Sequence, residues 1–297
     1  MLSLFALLCA VAATLVTTNR FAPLLRVGDF GAVHAAMPAQ ELAQFQGDQI
    51  EVALPNEAAA AGADFAQAAR QNAELQNSLS WTFGAKQQRG WHLYVPLIGR
   101  LIETEAGADA AEFAAAVARW QRARGLGQTG VIDANTLHRM IQTWQGQRLK
   151  DRTPASAGQL VTVPAAEFYD SSRPAELRQV ERETYAAYQR MVAAANAAGV
   201  AEGKYLKIIS AHRSREYQDA LRRKDPKAGS AGLAVNNSPH FTGRALDLYV
   251  GGDPVETKDS NRAIQVRTPA YRWLVRHAER FGFRPYHYEP WHWERVQ

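Results

Sequence analysis

The feature of this sequence that most constrains its fold is an aspartate in the middle of an apolar segment. Residues 245–250 alternate in the manner of a half-buried strand. Leu246 and Leu248 share one face of that strand, and Asp247 lies on the other. Burying a carboxylate is costly unless a cation or hydrogen-bond donors meet it. The segment therefore predicts a strand whose carboxylate faces a binding site.

Two histidines are placed to meet Asp247 in the fold. His240 precedes the aspartate across a turn at Gly243, and His292 follows it in a second short segment, residues 289–293. Two imidazole nitrogens and one carboxylate oxygen form the ligand set of a catalytic zinc ion that keeps one position open for water. The sequence therefore predicts one Zn²⁺ held by His240, Asp247 and His292.

Glu289 is the candidate general base. It stands three residues before His292, and the following Pro290 keeps it out of the helical region. In a straight strand the side chains of Glu289 and His292 would face opposite sides, so the Glu-Pro corner must aim both at one point. A free carboxylate beside a metal-activated water is what a general base requires. We therefore predict a zinc hydrolase.

The segments Ser238-Pro-His-Phe-Thr-Gly-Arg-Ala-Leu-Asp247 and Glu289-Pro-Trp-His292 resemble the motifs of the zinc D-alanyl-D-alanine carboxypeptidases. That family includes the VanY-type vancomycin-resistance D,D-peptidases and phage endolysin relatives, and it shares its fold with the Hedgehog signalling domain. The resemblance implies that His240, Asp247 and His292 are the zinc ligands. It also implies that Glu289 is the catalytic base.

A third segment, Ser210-Ala-His-Arg-Ser-Arg-Glu-Tyr-Gln218, is similar to the Ser-Gly-Tyr-Arg-Ser-x-x-x-Gln motif of the same family. The resemblance implies that Arg213 stabilises the developing oxyanion. It further implies that Gln218 helps to hold the substrate, and we assign Ser238 to substrate binding as well.

The resemblance also implies a fold class and a substrate. The fold is α+β, a Hedgehog/D,D-peptidase-like domain with a small antiparallel sheet, and the substrate is the D-Ala-D-Ala terminus of peptidoglycan stem peptides. His212 stands where the family pattern usually has tyrosine, and Arg244 occupies a usually small or apolar position. Because these departures bear on subsite specificity, a peptidoglycan endopeptidase that cuts a different stem or cross-bridge bond is the alternative within the family.

A second pattern precedes the catalytic segments. Phe113 and Val117 recur at helical spacing, a glycine-rich break follows, and Asp133 is placed to cap the next helix. An aromatic-Gln pair, then Gly-Leu, then Gly-x-Ile-Asp-x-x-Thr between Trp120 and Leu137 resembles a small all-α, three-helix peptidoglycan-binding module. Its first helix would lie around residues 94–103. A structural bundle without a ligand fits the same spacing, and we assign no glycan-contacting residues.

The chain begins with an apolar run, residues 1–16, that is closed by Arg20. The run resembles an export signal or a short membrane anchor, although it falls short of the ~18–20 residues of a span and no Lys or Arg precedes it. Leu8 ahead of Cys9 is not the small residue that a lipoprotein site requires, so lipidation is not predicted. We expect export to the periplasm or cell envelope. A cleaved signal, a retained membrane anchor and an N-terminal helix of the folded body are all left open.

Charge and composition bear on partners. The formal charge of +5 suits an anionic partner such as a cell envelope, and equally suits solubility alone. We find no nucleic-acid motif, so peptidoglycan is the predicted partner and nucleic acid is not. A single cysteine excludes an internal disulfide. The predicted division is residues 1–20 signal peptide or membrane anchor, 21–88 partly helical spacer, 89–146 peptidoglycan-binding-like module, 147–160 linker and 161–297 zinc carboxypeptidase domain.

Rival interpretations use the same residues. Non-haem iron oxygenases also bind metal through two histidines and one carboxylate, but they have no need of Glu289. A catalytically silent wall-binding protein would not need all four catalytic positions filled. His287 is the main rival ligand. At best we expect it to contact a metal ligand, and not the metal itself. Asp253 and Glu294 are expected as outer carboxylates of the site or as surface groups.

Patterning also predicts the elements around the motifs. Apolar spacing predicts one helix from Pro174 to Gly199 and another that starts at Thr268-Pro269 and stops at Gly282. Ser214 is placed to cap a helix that carries Gln218. Residues 283–288 and 291–296 are expected to pair as the last two strands.

Overall fold

The computed structural model of the chain describes residues 57–83, 86–224 and 238–296. The apolar run at residues 1–16, predicted as an export signal or anchor, lies outside the described residues, as does the first part of the predicted spacer, residues 21–56. Among the helices that are described, none is long and apolar enough to cross a membrane.

Helices dominate the part of the chain before the predicted linker and flank the sheets of the part after it. They are α1 (Glu57–Ser78), α2 (Val95–Ile102), α3 (Ala111–Ala123), α4 (Ala134–Gln147), α5 (Arg182–Ala197), α6 (Arg215–Lys224), α7 (Asp259–Gln265) and α8 (Pro269–His277). Ser214 Oγ accepts the backbone N–H of Tyr217 at 3.1 Å, so the predicted cap of α6 is present.

The strands form small antiparallel sheets. They are β1 (Ser80–Phe83), β2 (Lys86–Arg89), β3 (Leu160–Thr162), β4 (Gln179–Glu181), β5 (Ile208–Ser210), β6 (Ala245–Leu248), β7 (Phe283–Tyr286) and β8 (Glu289–Arg295). β1 pairs with β2 and β3 with β4, whereas the other four form one sheet in the order β5-β6-β8-β7. Every neighbouring pair in that sheet is antiparallel. The predicted α+β class, with a helical module ahead of the sheet, is confirmed.

The helical module is built around Gln121, the glutamine of its sequence signature. The Gln121 side chain is buried, and its amide group donates to Val131 O and Thr136 Oγ1, each at 3.0 Å. Its Oε1 accepts the backbone N–H of Gly130 at 2.9 Å. Asp133 Oδ1 accepts the N–H of Thr136 at 2.7 Å and begins α4 as predicted. Gln121 therefore holds the glycine-containing loop in place.

Helix α1, which falls in the predicted spacer, packs against α3 of the module. Its buried Asn72 donates to Gly130 O and accepts the N–H of Ile132, both at 2.8 Å. Gly130 has φ +69°, and a Cβ there would lie 2.9 Å from Ala114 O, so this loop conformation favours glycine. Asn72 thus fastens α1 to the loop that Gln121 holds from the other side.

Strand β6 carries Asp247 and lies between β5 and β8. All of its residues are buried, so the prediction of a half-buried strand is wrong. Leu246 and Leu248 pack in the hydrophobic core. The face with Asp247 is covered by the side chains of Arg213 and His240. The strand is buried on both faces because its polar face belongs to an enclosed site.

The two predicted long helices differ in outcome. Pro174 begins a 3-10 turn instead of the expected helix, β4 follows it, and α5 starts only after Glu181, whose carboxylate caps the helix. The helix after Thr268 begins as expected, with Thr268 as its cap. A 3-10 turn extends it to Gly282, which ends it at φ +84°. Two serines ahead of a proline are therefore not sufficient to start a helix here, because the residues that follow pair as strand β4.

The helical module packs directly on the catalytic domain, and one hydrophobic cluster includes residues of both. Arg262 of α7 is 1% exposed, and its Nη2 donates to Tyr94 Oη at 3.0 Å. The guanidinium also lies 4.2 Å from the ring centroid of Tyr288. The predicted linker lies on the domain too, because the N–H of Ala155 donates to Phe241 O at 2.9 Å.

Candidate metal centre

Strands β6 and β8 bring two of the predicted ligands together. Asp247 and His292 are register partners in this antiparallel ladder. His292 Nδ1 lies 2.9 Å from Asp247 Oδ1. Both side chains are buried. The ladder thus joins residues 45 positions apart along the chain.

His240 reaches the same carboxylate from a 3-10 turn, Pro239–Thr242. Ser238 Oγ caps this turn by accepting the N–H of His240 at 3.3 Å. Gly243 ends the turn at φ +67°, where a Cβ would lie 2.9 Å from Glu181 N. His240 Nδ1 lies 2.7 Å from the carbonyl oxygen of Ala211. Because that oxygen can only accept, Nδ1 carries the proton and Nε2 keeps a lone pair.

The two histidines direct ring nitrogens at Asp247. His240 Nε2 lies 3.4 Å from Asp247 Oδ2. His292 Nε2 lies 3.2 Å from Glu294 Oε1 and donates a proton to it, so Nδ1 faces Asp247 either with a second proton or with a lone pair that a metal ion can take. The three side chains therefore converge on a point that requires positive charge, which a bound cation or a proton on His292 can supply.

The spacing of the three groups fits a zinc ion. One ligand atom from each of His240, Asp247 and His292 lies within 4.8 Å of the others. Ligand atoms about 2.0–2.1 Å from a tetrahedral zinc ion are roughly 3.3 Å apart. The nitrogen–oxygen contacts of Asp247 with His240 and His292, 3.4 Å and 2.9 Å, are close to that separation. The three side chains predicted as ligands therefore form a group that could hold a metal ion such as Zn²⁺.

The electrostatics of the three side chains agree with a cation site. Burial would raise the pKa of Asp247, but His240, His292 and Arg213 together hold that pKa well below its usual range. Burial and the charge of Arg213 lower the pKa of His240 to about 4, so this imidazole is neutral at pH 7. Burial alone would lower the pKa of His292, but its hydrogen bonds to Asp247 and Glu294 raise it to about 9. His292 therefore binds a proton readily and then carries a positive charge.

Glu289 lies where β7 and β8 lose register. Pro285 pairs with Trp293, whereas its neighbour Tyr286 pairs with Glu289. Residues 290–292 of β8 consequently have no partner on β7, and this bulge is the corner that the Glu-Pro sequence predicts. The bulge breaks the strict alternation that would otherwise set Glu289 and His292 on opposite faces.

The carboxylate of Glu289 is buried and available. It is 5% exposed, and its Oε1 has no hydrogen-bond partner among the described residues. Burial raises the pKa of Glu289 to about 7; His292 opposes this rise, and the negative charge of Asp247 adds to it. A carboxylate with these properties can take up and release a proton near neutral pH.

Arg213 lies beside the metal ligands. Its Nη2 donates to Asp247 Oδ2 at 2.8 Å, and its Nε donates to Ser210 Oγ at 3.0 Å. The side chain is 3% exposed. Arg213 thus adds positive charge next to the site, as the predicted oxyanion-stabilising role requires.

The two predicted substrate-binding residues are both buried. Gln218 is 1% exposed, and its Oε1 lacks a hydrogen-bond partner within the described part of the chain. Ser238 caps the turn that carries His240. Ser238 therefore has a visible structural role, and substrate binding by either residue stays a prediction.

His287, the rival ligand, belongs to an aromatic cluster. Its ring centroid lies 4.8 Å from that of Phe83, 5.9 Å from Tyr94 and 6.1 Å from Trp144. Burial holds the pKa of His287 well below its usual range. This histidine packs the helical module onto the catalytic domain and is not one of the three metal-binding side chains.

The sequence left open whether Glu294 lies at the site or on the surface. It is fully buried, and its Oε1 faces both His292 Nε2 and Arg148. Sequence reasoning missed Arg148, which immediately follows α4. Neither the spacing of Arg148 from the motifs nor its residue type indicates a role at the site, because its contact with Glu294 depends on how the helical module and the catalytic domain pack.

Comparisons with known proteins give two family matches. Residues 177–296 match the family model VanY, described as D-alanyl-D-alanine carboxypeptidase. Residues 98–140 match a model described as putative peptidoglycan binding domain. The first segment contains the metal centre and Glu289, and the second contains the Gln121 loop. No curated protein matches the chain.

Several solved structures are similar to this chain. The LdcB LD-carboxypeptidase is 25% identical, with 50% of this chain and 72% of that chain covered and a TM-score of 0.37. VanYB in complex with D-Alanine-D-Alanine is 21% identical, with coverage of 52% and 87% and a TM-score of 0.34. The vancomycin resistance D,D-pentapeptidase VanY in complex with Zn(II) is 20% identical, with coverage of 52% and 89% and a TM-score of 0.32.

Proposed function

We propose, on the match of residues 177–296 to the D-alanyl-D-alanine carboxypeptidase family model, that the protein removes the terminal D-alanine from peptidoglycan stem peptides that end in D-Ala-D-Ala. The family match confirms the enzyme class predicted from the sequence, a D-alanyl-D-alanine carboxypeptidase. It also confirms peptidoglycan as the partner, since the chain carries a peptidoglycan-binding domain. The roles of single residues in the reaction are part of the proposal.

One observation carries the proposal. Glu289 offers a buried, unpartnered carboxylate oxygen in the domain that gathers His240, Asp247 and His292 around one point. Burying such a group without a partner costs stability, and a role in the reaction accounts for its being kept there. A non-haem iron site would have no use for this base.

His240, Asp247 and His292 would hold the zinc ion. When bound, zinc supplies a Lewis acid that activates water and polarises the scissile carbonyl group. Glu289 accepts the proton of the attacking water and passes it to the amine of the departing D-alanine. The new C–O bond forms first and places negative charge on the carbonyl oxygen; the peptide C–N bond then breaks as the amine takes the proton from Glu289, which returns to its carboxylate form.

Arg213 would stabilise the negative charge that develops on the carbonyl oxygen. Its guanidinium is buried and fixed by Ser210 and Asp247, so it needs little reorganisation during the reaction. Gln218 and Ser238 would contact the stem peptide. The unpartnered Oε1 of Gln218 gives it an acceptor for a substrate N–H group.

The other parts of the chain fit an enzyme of the cell wall. The helical module would hold the protein on peptidoglycan while the catalytic domain acts on stem peptides. Work on this polymer takes place outside the cytoplasm. We propose that the apolar N-terminal run directs export to the periplasm or cell envelope, either as a cleaved signal or as an anchor.

The test is digestion of purified pentapeptide muropeptides with the zinc-loaded protein, followed by mass spectrometry of the products. We expect loss of one alanine residue, and no loss with Glu289→Gln or after zinc removal by a chelator. Cut cross-links without free alanine would indicate the endopeptidase alternative. Unchanged muropeptides would indicate a wall-binding protein without catalysis, and either result would overturn the proposal.

A further inference from the structure

Glu294 connects the metal ligand His292 to the segment that directly follows α4, the last helix of the helical module. Its Oε1 lies 3.2 Å from His292 Nε2 and accepts the Nε–H of Arg148 at 3.1 Å. Its Oε2 accepts the backbone N–H of Leu149 at 2.9 Å. Arg152 lies farther away, with its Nη1 3.5 Å from Oε1. Among the described residues, the groups that contact the Glu294 carboxylate from outside its own strand therefore come from the segment directly after α4.

Arg148 is itself fixed in this position. Its guanidinium lies over the ring of Tyr286, 4.0 Å from the centroid. Its Nη1 donates to Gln145 Oε1 at 3.1 Å. The side chain is only 12% exposed. Arg148 Nε and Nη2 both donate to Glu294 Oε1, and such a buried, charge-assisted contact has a more defined geometry than most surface ion pairs.

We infer that Arg148 and Glu294 are positioning residues that orient the His292 ring for the metal, and that the helical module thereby supports the metal centre. An ionised Glu294 surrounded by donors can only accept from His292 Nε2, which leaves the Nδ1 lone pair directed at Asp247. Residues behind a ligand fix its tautomer and ring angle and raise its basicity in this way. The inference rests on the metal centre of the proposed function.

The contacts of Glu294 distinguish a positioning role from packing that only holds the two domains together. Other contacts also join the module to the catalytic domain, for example the hydrogen bond between Tyr94 and Arg262. Those contacts do not involve Glu294. Arg148, Leu149 and Arg152, which follow α4, instead contact Glu294, the residue that in turn contacts the metal ligand His292.

Zinc affinity of the full chain, measured by chelator competition at pH 7, tests the inference. We expect zinc affinity to fall about 10–100-fold in Glu294→Gln and about tenfold in Arg148→Gln, the range known for loss of a group behind a ligand. Because Arg148 acts through Glu294, the double variant is expected to bind zinc no more weakly than Glu294→Gln. Arg148→Lys, which keeps the charge, should recover part of the loss.

A spectroscopic measurement separates positioning from general destabilisation. In zinc-loaded protein with ¹⁵N-labelled histidine, His292 should carry its proton on Nε2. The resonance of that proton should move in both Glu294→Gln and Arg148→Gln. Tyr94→Phe is the matched control, because it weakens the same interface without touching Glu294; its zinc affinity and its His292 resonance should equal those of the wild type.

The outcomes are distinct. Wild-type zinc affinity in Arg148→Gln, or a loss as large in Tyr94→Phe, would overturn the inference, and Arg148→Gln decides alone if Glu294→Gln does not fold. The variant His292→Ala separates failure of the metal centre from failure of the positioning inference. If His292→Ala binds zinc as the wild type does, the metal centre itself is wrong; if it loses zinc while both positioning variants keep it, only the inference fails.

Discussion

His292 Nδ1 lies 2.9 Å from Asp247 Oδ1, directly across the β6–β8 ladder. The other ring nitrogen, Nε2, lies 3.2 Å from Glu294 Oε1. A neutral imidazole has one N–H and can satisfy only one of these carboxylates. The second nitrogen must therefore face a cation or take up a proton, and this requirement defines the site more sharply than the sequence motif does.

Glu289→Gln should separate catalysis from metal binding. The substitution removes the base and leaves His240, Asp247 and His292 unchanged, so zinc should still bind. We expect kcat on a D-Ala-D-Ala peptide to fall by at least about 10²–10⁴-fold, the usual contribution of a general base. Turnover and zinc content are measured on the same preparation. Near-normal turnover with zinc bound would show that Glu289 is not the base.

The acid side of the pH–rate profile should report Glu289. A base must be deprotonated to act, so activity is lost as pH falls through its pKa, which burial raises to about 7. A bound dication would lower that pKa, so the single-proton limb should lie at or below 7. The profile of kcat/KM for the zinc-loaded enzyme measures it. A profile flat down to pH 4 would contradict the assignment.

Glu289 should also cost the metal-free protein stability in a pH-dependent way. Its folded pKa of about 7 exceeds the ordinary 4.5, so the folded state prefers the protonated form and the cost of ionisation appears as pH rises from 4.5 through 7. Glu289→Gln should therefore be more stable than the wild type at pH 8, by up to roughly 3 kcal/mol, with a smaller difference at pH 5. Urea unfolding of both metal-free proteins at the two pH values checks this. An equal difference at pH 5 and pH 8 would refute it.

Much of the site can be predicted from sequence because its motifs are local. Ser238 and Gly243 bound a short turn that must hold His240, and a carboxylate within an apolar strand already requires a partner for Asp247. The Glu-Pro pair likewise indicates a corner, and the structure has a bulge there. The sequence could not assign Arg148 or settle Glu294, since their contact forms only when the helical module and β8 pack together.

The fold was harder to predict where local signals conflict with packing. Two serines precede Pro174 and apolar spacing suited to a helix follows it, yet residues 179–181 pair with β3 as a strand. The pattern of 245–250 indicates one exposed face, but burial of the site covers both faces of β6. Helix α1 has few large apolar residues, and the buried Asn72 supplies contacts that hydrophobic periodicity does not detect.

Asn72→Ala should destabilise the helical module. It would leave the buried Gly130 O and the N–H of Ile132 without the side chain that satisfies both. A loss of about 2–3 kcal/mol in unfolding free energy is expected, because each unsatisfied buried polar group costs about 1–3 kcal/mol. Thermal unfolding measures it, with Arg70→Ala on the exposed side of α1 as the control. Equal stabilities of the two variants would count against a role for Asn72.

X-ray absorption at the zinc edge of the loaded protein tests the central claim most directly. We predict one zinc per chain with two imidazole nitrogens and one carboxylate oxygen among its ligands at about 2.0–2.1 Å, and loss of that signature in His240→Ala. His138→Ala, at an exposed histidine of the helical module, should retain it. A spectrum without histidine ligands, or one that is unchanged in His240→Ala, would contradict the account.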